Sequence, residues 1–411
     1  MLATTGTLYI HLCARYTYRA VRIRTRRMGG ATLPLWLCLC VSAQHHAHSS
    51  PLEPIVVDPV NGQDTNTGSA AAPFRSLERG VLAARLSGYS DAGTQRRPVQ
   101  IRAGRVYLAD PLRLGPADNG LTVEAFPGEV GNATLVGGLR LSSWYKHPSI
   151  PGTWVHATPP DVYSRHLYVN GVRANRTIAP SPLPGSWTFG NASVDETVYE
   201  TSETALLSWR NIGDIEFVFR ARGLFTEQRC TWESVTRSPD GTKVQVRVKH
   251  PCMLNVKLST GGGAGGSITE AQRGQDPQTL PSPASPLIAK NMDVERTENI
   301  FDTASYGGSS HQPAVGFAAS PAGTWYFDRQ AREVLYKPRP GEDMASADCV
   351  LPILEQLIVG QGQPLVRPLR NITLSGLRFA YTTWLGPNSK DGYVRTQPYH
   401  IGANHNRIFE N

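Results

Sequence analysis

Long apolar runs are missing from this 411-residue chain. The stretch Ala31–Val41 is too short to cross a bilayer as a helix, and no other run approaches the roughly 20 residues a span requires. A stable membrane span in the processed chain is thereby excluded. Also missing are a GxSxG nucleophile elbow, a phosphate loop and a dinucleotide fingerprint, so no cofactor is implied. Acidic residues are absent from residues 1–43, which hold six arginines; in the rest of the chain 35 basic residues face 33 acidic ones. The formal charge of +8 therefore belongs mainly to the leader, and a near-neutral body offers no footprint for nucleic acid. With 40% apolar residues the chain is not disordered throughout, while 39 Gly and 31 Pro favour turns and exclude an ordinary helical bundle.

The Arg-rich leader and Ala31–Val41 together read as a signal peptide over residues 1–43, cut after Val41-Ser42-Ala43. Met28 as initiator gives a more compact signal peptide, and a signal anchor is the alternative; secretion is expected ahead of anchoring. Residues 44–54 form a linker, where His45, His46 and His48 are expected to bind nothing specific. Cys13, Cys38 and Cys40 leave with the leader. Thr231 to His250 reads as a hairpin turning at Asp240-Gly241, with Val244, Val246 and Val248 alternating on its second strand. Such a turn brings Cys230 and Cys252 nearly opposite, which makes a disulfide geometrically easy and suits an oxidising compartment. Two unpaired apolar residues are the alternative there. Cys349 remains an odd thiol, expected to be buried. Asn132, Asn175, Asn191 and Asn371 open N-x-S/T triplets compatible with glycosylation.

Beyond the linker, Ile55-Val56-Val57 begins regular structure, and Asp58 to Gly68 reads as a solvated turn, since its acidic spacing departs from a calcium loop. A short amphipathic helix is predicted from Ser76 to Leu86, with Leu77, Val81, Ala84 and Leu82 near one face and Gly88 closing it. Short strands recur after it. Val99, Ile101 and Ala103 alternate, and Leu121, Val123 and Ala125 do so again 22 residues later. The strings starting at Pro111, Gly138 and Gly376 share a second pattern. In the last, the apolar phase slips at Gly376, which predicts two short strands meeting at a corner. Short strands, corners and a period in the low twenties describe a parallel β-solenoid capped by the helix. The long stretch between the second and third copies lacks that period. Its strands, including Ile215–Phe219, the cysteine hairpin and Trp325–Asp328, are expected to form an inserted antiparallel β-sandwich. Within it, Ser259 to Pro286 is rich in Gly, Pro and Ser and reads as a loop.

Several strings resemble secreted right-handed parallel β-helix proteins of the pectate-lyase-like superfamily that carry an inserted β-sandwich. They are Asn61-Gly62-Gln63-Asp64 with Ala72 to Leu77, Arg165 to Ala174, Gly323 to Asp328, Pro338 to Asp343, and Asn371 to Trp384. The resemblance covers most of residues 52–400, and its architecture is similar to that of a β-xylosidase family of glycoside hydrolases. It implies an all-β chain with N-terminal coils and cap over 55–160, a sandwich over 161–345 with a loop at 259–286, and a return to the helix over 346–411. Members of that group continue for further coils. His405 to Asn411 looks like the start of one more, so the chain is expected to be a fragment or truncated. The acid/base residues of the group lie on those later coils, so none is transferred to this chain.

Glycosidic hydrolysis needs two facing carboxyl groups, and β-elimination needs a base beside a neutralised uronate. Neither constellation stands out. Asp391, His400 and Glu410 are the weak catalytic candidates, each weighed against a solvated loop residue. Aromatic faces stack on sugars, so Trp384 and Tyr381 are the candidates for binding a polysaccharide or oligosaccharide, core packing being the alternative for Tyr381. His400 and His405 lack the motif of a zinc site, and no metal is expected. The functional reading is a carbohydrate-active protein, glycosidase or lyase, with a non-catalytic glycan-binding or adhesion module, or an inactive fragment, as the alternative. An enzyme should place two close carboxyls, or a carboxyl and an Arg or Lys, beside Trp384; aromatics alone would favour binding.

Overall fold

A computed structural model describes residues 52–87, 96–179, 183–188, 198–220, 227–250, 252, 296–300, 317, 320–386, 394–396, 399–401 and 407–409. The chain enters through β1 (Ile55–Val57), whose three residues are wholly buried. Asp58 then turns the chain by accepting the N–H groups of Val60 and Asn61, both at 2.9 Å. Asp64 accepts those of Arg75 and Ser76 and so holds the start of α1 (Leu77–Leu86). The Ser76 hydroxyl caps α1 by accepting the Arg79 N–H. Leu77, Val81 and Ala84 face the core, and Gly80 lets the helix come close: a Cβ there would stand 2.7 Å from a Val57 methyl. Two details differ from the sequence pattern. Leu82 is exposed, because one residue beyond Val81 it is turned about 100° away from the buried stripe. The helix closes at Ser87, while Gly88 lies outside the described residues.

Next come β2 (Val99–Ile101), β3 (Gly104–Tyr107), β4 (Leu112–Leu114), β5 (Thr122–Ala125) and β6 (Ala133–Val136). All pairings among β1 to β6 are parallel: β1 with β2, β2 with β5, and β3 with β6. Later residues extend the same sheets. Ile358–Gly360 pairs parallel with β4, Thr373–Ser375 with β5, and Leu377–Ala380 with β6. Three parallel sheets result, and successive segments of chain visit them in turn. Ile55, Val57, Val99, Ile101, Leu112, Leu114, Val123 and Leu135 share one buried core beneath α1. Removing each such side chain from water contributes about 1.5–3 kcal/mol.

The repeat is therefore real, but its length differs from the sequence reading. Val99 faces Val123 and Ile101 faces Ala125, a step of 24 residues rather than 22. A shift of two preserves which side chains point inward, so the apolar pattern alone could not distinguish the two registers. Ala103 lies past the end of β2 and is exposed. The strings beginning at Pro111, Gly138 and Gly376 do not form one family. Their strands lie in three different sheets, and Gly138–Leu141 pairs antiparallel with Cys349–Pro352. The corner at Gly376 is present: at φ 69° it joins Thr373–Ser375 to Leu377–Ala380 across two sheets.

Between β6 and Ile358–Gly360 the chain leaves the parallel sheets for antiparallel pairing, apart from one parallel contact between Asn175–Arg176 and Thr324–Asp328. Gly138–Leu141 and Cys349–Pro352 close the neck of this excursion, and the Gly137 carbonyl accepts the N–H groups of Ile353 and Leu354. Its sheets have four, five and six strands. In the six-stranded sheet, Glu227–Arg237 pairs with Val244–Val248, and a disulfide joins Cys230 to Cys252 with Cα atoms 5.4 Å apart. Around it Phe217, Trp232, Val244, Val246 and Trp209 build a second core. Near the end, Val394–Thr396, Tyr399–Ile401 and Arg407–Phe409 form an antiparallel meander. Of the segment from His405, expected to start a further coil, only Arg407–Phe409 falls within the described residues. Among the described residues no helix is long and apolar enough to cross a membrane.

The Gly376 corner is directly testable. Alanine at φ 69° enters the left-handed region and brings a Cβ to 3.1 Å from that of Ala125. Gly376→Ala should lower unfolding stability by about 1–2 kcal/mol in a urea titration; an unchanged midpoint would contradict this corner.

Candidate functional site

Directly after Leu377–Ala380 the backbone turns sharply at Tyr381, which has φ 59°. This breaks the strand and puts the Tyr381 ring against Tyr168, edge to face, with centroids 5.0 Å apart. The Arg105 guanidinium, carried on β3, lies 5.2 Å from the Tyr381 ring centroid and donates to its hydroxyl at 3.4 Å. Arg105 also grips Asp348 with both arms, at 2.7 and 2.6 Å. Tyr381 is thus half-buried at the junction of the coils and the excursion, with its polar end occupied.

The following residues are pinned from both sides. Thr383 is buried; its N–H donates to the Leu354 carbonyl and its hydroxyl lies 3.1 Å from His166 Nδ1. Trp384 is 40% exposed, and its carbonyl accepts from Arg165 at 3.1 Å. The Leu385 N–H donates to Glu355 at 2.7 Å. A partly exposed indole on a backbone held by hydrogen bonds has the aromatic surface needed to stack on a planar or ring ligand.

Arg165 connects this segment to a buried charge cluster. It holds Glu216 through two hydrogen bonds of 3.0 and 2.7 Å. Glu216 also accepts from Arg176 and Arg229, and both of these reach Glu298. Burial alone would raise the Glu216 carboxyl, but the charges of Arg176 and Arg165 override it and hold it at about 2. For His166 the effects act together: burial first, then Arg173 and Arg165, push its imidazole down to about 3. His166 is therefore a neutral hydrogen-bonding partner of Thr383 at physiological pH.

Of the sequence candidates, Tyr381 packs against Tyr168 and Arg105, and Trp384 follows three residues later, partly exposed. Asp391 and Glu410 lie outside the described residues, and His400 sits in Tyr399–Ile401 with its side chain outside them. Asn132, Asn175 and Asn371 are exposed, and Asn191 lies outside. Cys349 is buried and unpaired, and burial pushes its thiol up to about 12, which makes it inert. Among the described residues no group of three His, Cys, Asp or Glu could hold a metal ion. Sequence reasoning missed Arg105, Asp348, His166 and Glu355. Arg105 and Asp348 are 243 residues apart, so no local spacing signals their meeting.

No protein-family model matches this chain, and no curated protein does. Among solved structures, one described as a glycoside hydrolase superposes with a TM-score of 0.54 at 19% identity, over 82% of this chain and 51% of that chain. The chain shares that fold. It spans about half the length of the glycoside hydrolase. A second structure, a complex of XylC with xylose, has a TM-score of 0.26 at 12% identity, over 81% of this chain and 36% of that one.

The depressed groups predict acid sensitivity. Unfolded, His166 titrates near 6.5 and Glu216 near 4.5. Between each of these values and its folded one, the unfolded chain binds a proton that the folded protein does not. Stability is therefore full above pH 6.5 and falls as pH drops, first through His166 and then through Glu216. The His166 part should amount to at most about 1 kcal/mol per pH unit after solvent screening. Denaturant titrations at pH 7.5 and 5 should show a smaller loss in His166→Gln than in the wild type; equal losses would refute the assignment.

Proposed function

We propose that the chain is a secreted, carbohydrate-active protein whose three parallel sheets are the coils of a right-handed parallel β-helix. In this reading residues 1–43 are a cleaved leader and 44–54 a linker. Residues 55–136 are the cap and first coils, the antiparallel excursion that follows β6 contains the β-sandwich insertion expected over 161–345, and the chain returns to the helix from Ile358 onward. Asn132, Asn175, Asn191 and Asn371 are its glycosylation positions. Parallel pairing of β1, β2, β5 and Thr373–Ser375, together with a fold shared with a glycoside hydrolase, supports the architecture. The observation that supports the function is the Tyr168–Tyr381 pair beside Arg105 and Asp348, with the partly exposed Trp384 three residues further along the chain.

The reaction class follows from which carboxyls are available. Asp348 is occupied by Arg105, and Glu355 takes the Leu385 N–H, so both orient the site rather than transfer protons. This favours glycan binding as the role of the described part of the face. A glycosidase or lyase activity rests on Asp391, His400 and Glu410, the only candidates whose side chains are not described.

Purified protein should be titrated with a panel of neutral and acidic polysaccharides, and each mixture assayed for new reducing ends and for unsaturated uronates. Binding to at least one glycan is expected, with Trp384→Ala weakening it about three- to tenfold, the range of one aromatic contact. Absence of binding and cleavage across the panel would refute the reading. Reducing ends without unsaturated products identify a hydrolase, and unsaturated products a lyase.

A further inference from the structure

A cavity of about 550 Å³ opens where β4 and Ile358–Gly360 run out into their following turns. None of residues 381–385 lines it. Its volume lies within the range of roughly 300–1,000 Å³ usual for small-ligand sites. The lining carries three guanidinium groups, Arg85, Arg113 and Arg367, against one carboxylate, Asp118.

That carboxylate is already used. Asp118 is buried and accepts from Arg85 at 2.6 and 3.1 Å and from the Gly115 N–H at 2.8 Å. Arg85 further donates to the Arg113 carbonyl at 2.9 Å. The pair thus builds the wall of the cavity and fixes the backbone that carries Arg113. Arg113 and Arg367 themselves have no acidic partner among the described residues. Two carboxamides, Gln361 and Gln363, complete the polar lining, and their side chains also lack a partner there. Their backbones are nevertheless fixed: the Gln361 N–H donates to the Leu114 carbonyl at 2.9 Å, and Gln363 and Arg367 exchange two backbone hydrogen bonds of 2.9 Å.

We propose that this cavity binds the carboxylate-bearing ring of an acidic saccharide. Arg113 and Arg367 hold the carboxylate, and Gln361 and Gln363 meet the ring hydroxyls. A guanidinium fork matches the two oxygens of a carboxylate, and a carboxamide offers both a donor and an acceptor, which is what a hydroxyl needs. The lining holds no aromatic ring, so charge and hydrogen bonding rather than stacking select the ligand. The choice of a saccharide rests on the carbohydrate reading above, while the preference for an anion stands on the cavity alone.

Calorimetric titration of the full chain with a uronate trisaccharide, a neutral xylose trisaccharide and inorganic phosphate tests this. The uronate should bind more weakly as salt rises. Its affinity should fall about tenfold in Arg113→Gln and about a hundredfold in the double variant with Arg367→Gln. Both arginines are exposed, so an unaltered melting temperature will show that the variants fold. Failure of the uronate to bind, or equal binding by the double variant, overturns the proposal. So does phosphate binding as tightly as uronate and being lost in the same variants, since the cavity would then read a small anion. If the uronate alone fails while a neutral glycan binds through Trp384, only the cavity assignment falls; if no saccharide binds, the carbohydrate reading falls with it.

Discussion

Strands of three or four residues cannot bury their apolar side chains by themselves, so the parallel part of this protein exists only because each segment stacks in register on the previous one. The pairings of β2 with β5 and of β3 with β6 set that register, and Val99, Ile101, Val123 and Leu135 become core through it. α1 closes the stack at one end. The constraint is unforgiving at its corners, where a residue such as Gly376 must take a conformation that other residues reach only under strain.

The same constraint explains how a long excursion is accommodated. The partner of β4 is not the next strand in sequence but Ile358–Gly360, more than two hundred residues later. Bringing such distant segments together costs entropy that grows only slowly with length, so a firm neck suffices. Gly137 supplies it by accepting two N–H groups from the returning chain, and the antiparallel pair Gly138–Leu141 with Cys349–Pro352 extends it. Beyond the neck the excursion has its own core and its own disulfide.

Buried charge links the excursion to the candidate face. Glu216 and Glu298 are tolerated in the interior because Arg165, Arg176, Arg229 and Arg296 surround them, and removing one partner would strand the others without water. Arg165 also holds the Trp384 carbonyl. One arginine thereby belongs to a structural cluster and also holds the backbone at Trp384.

Much of the fold was legible because it is written in local chemistry. The helix from Ser76, the Asp240-Gly241 hairpin and the Gly376 corner each follow from a few neighbouring residues whose side chains or dihedral freedom act on their own backbone. The apolar alternation of β2 and β5 likewise revealed repetition and which face points inward. It did not reveal the 24-residue step, since an even slip leaves the alternation unchanged, nor that the Gly138 string belongs to an antiparallel neck. At the candidate face, Tyr381 and Trp384 were visible as aromatics at a strand end, whereas Arg105, Asp348, His166 and Glu355 gather from separate parts of the chain. Composition and short-range pattern thus determined the strand content, the turns and the inward residues, because those depend on interactions between near neighbours. Tertiary structure alone decided register, the neck and the company each charged residue keeps, because those interactions join residues that the sequence places far apart.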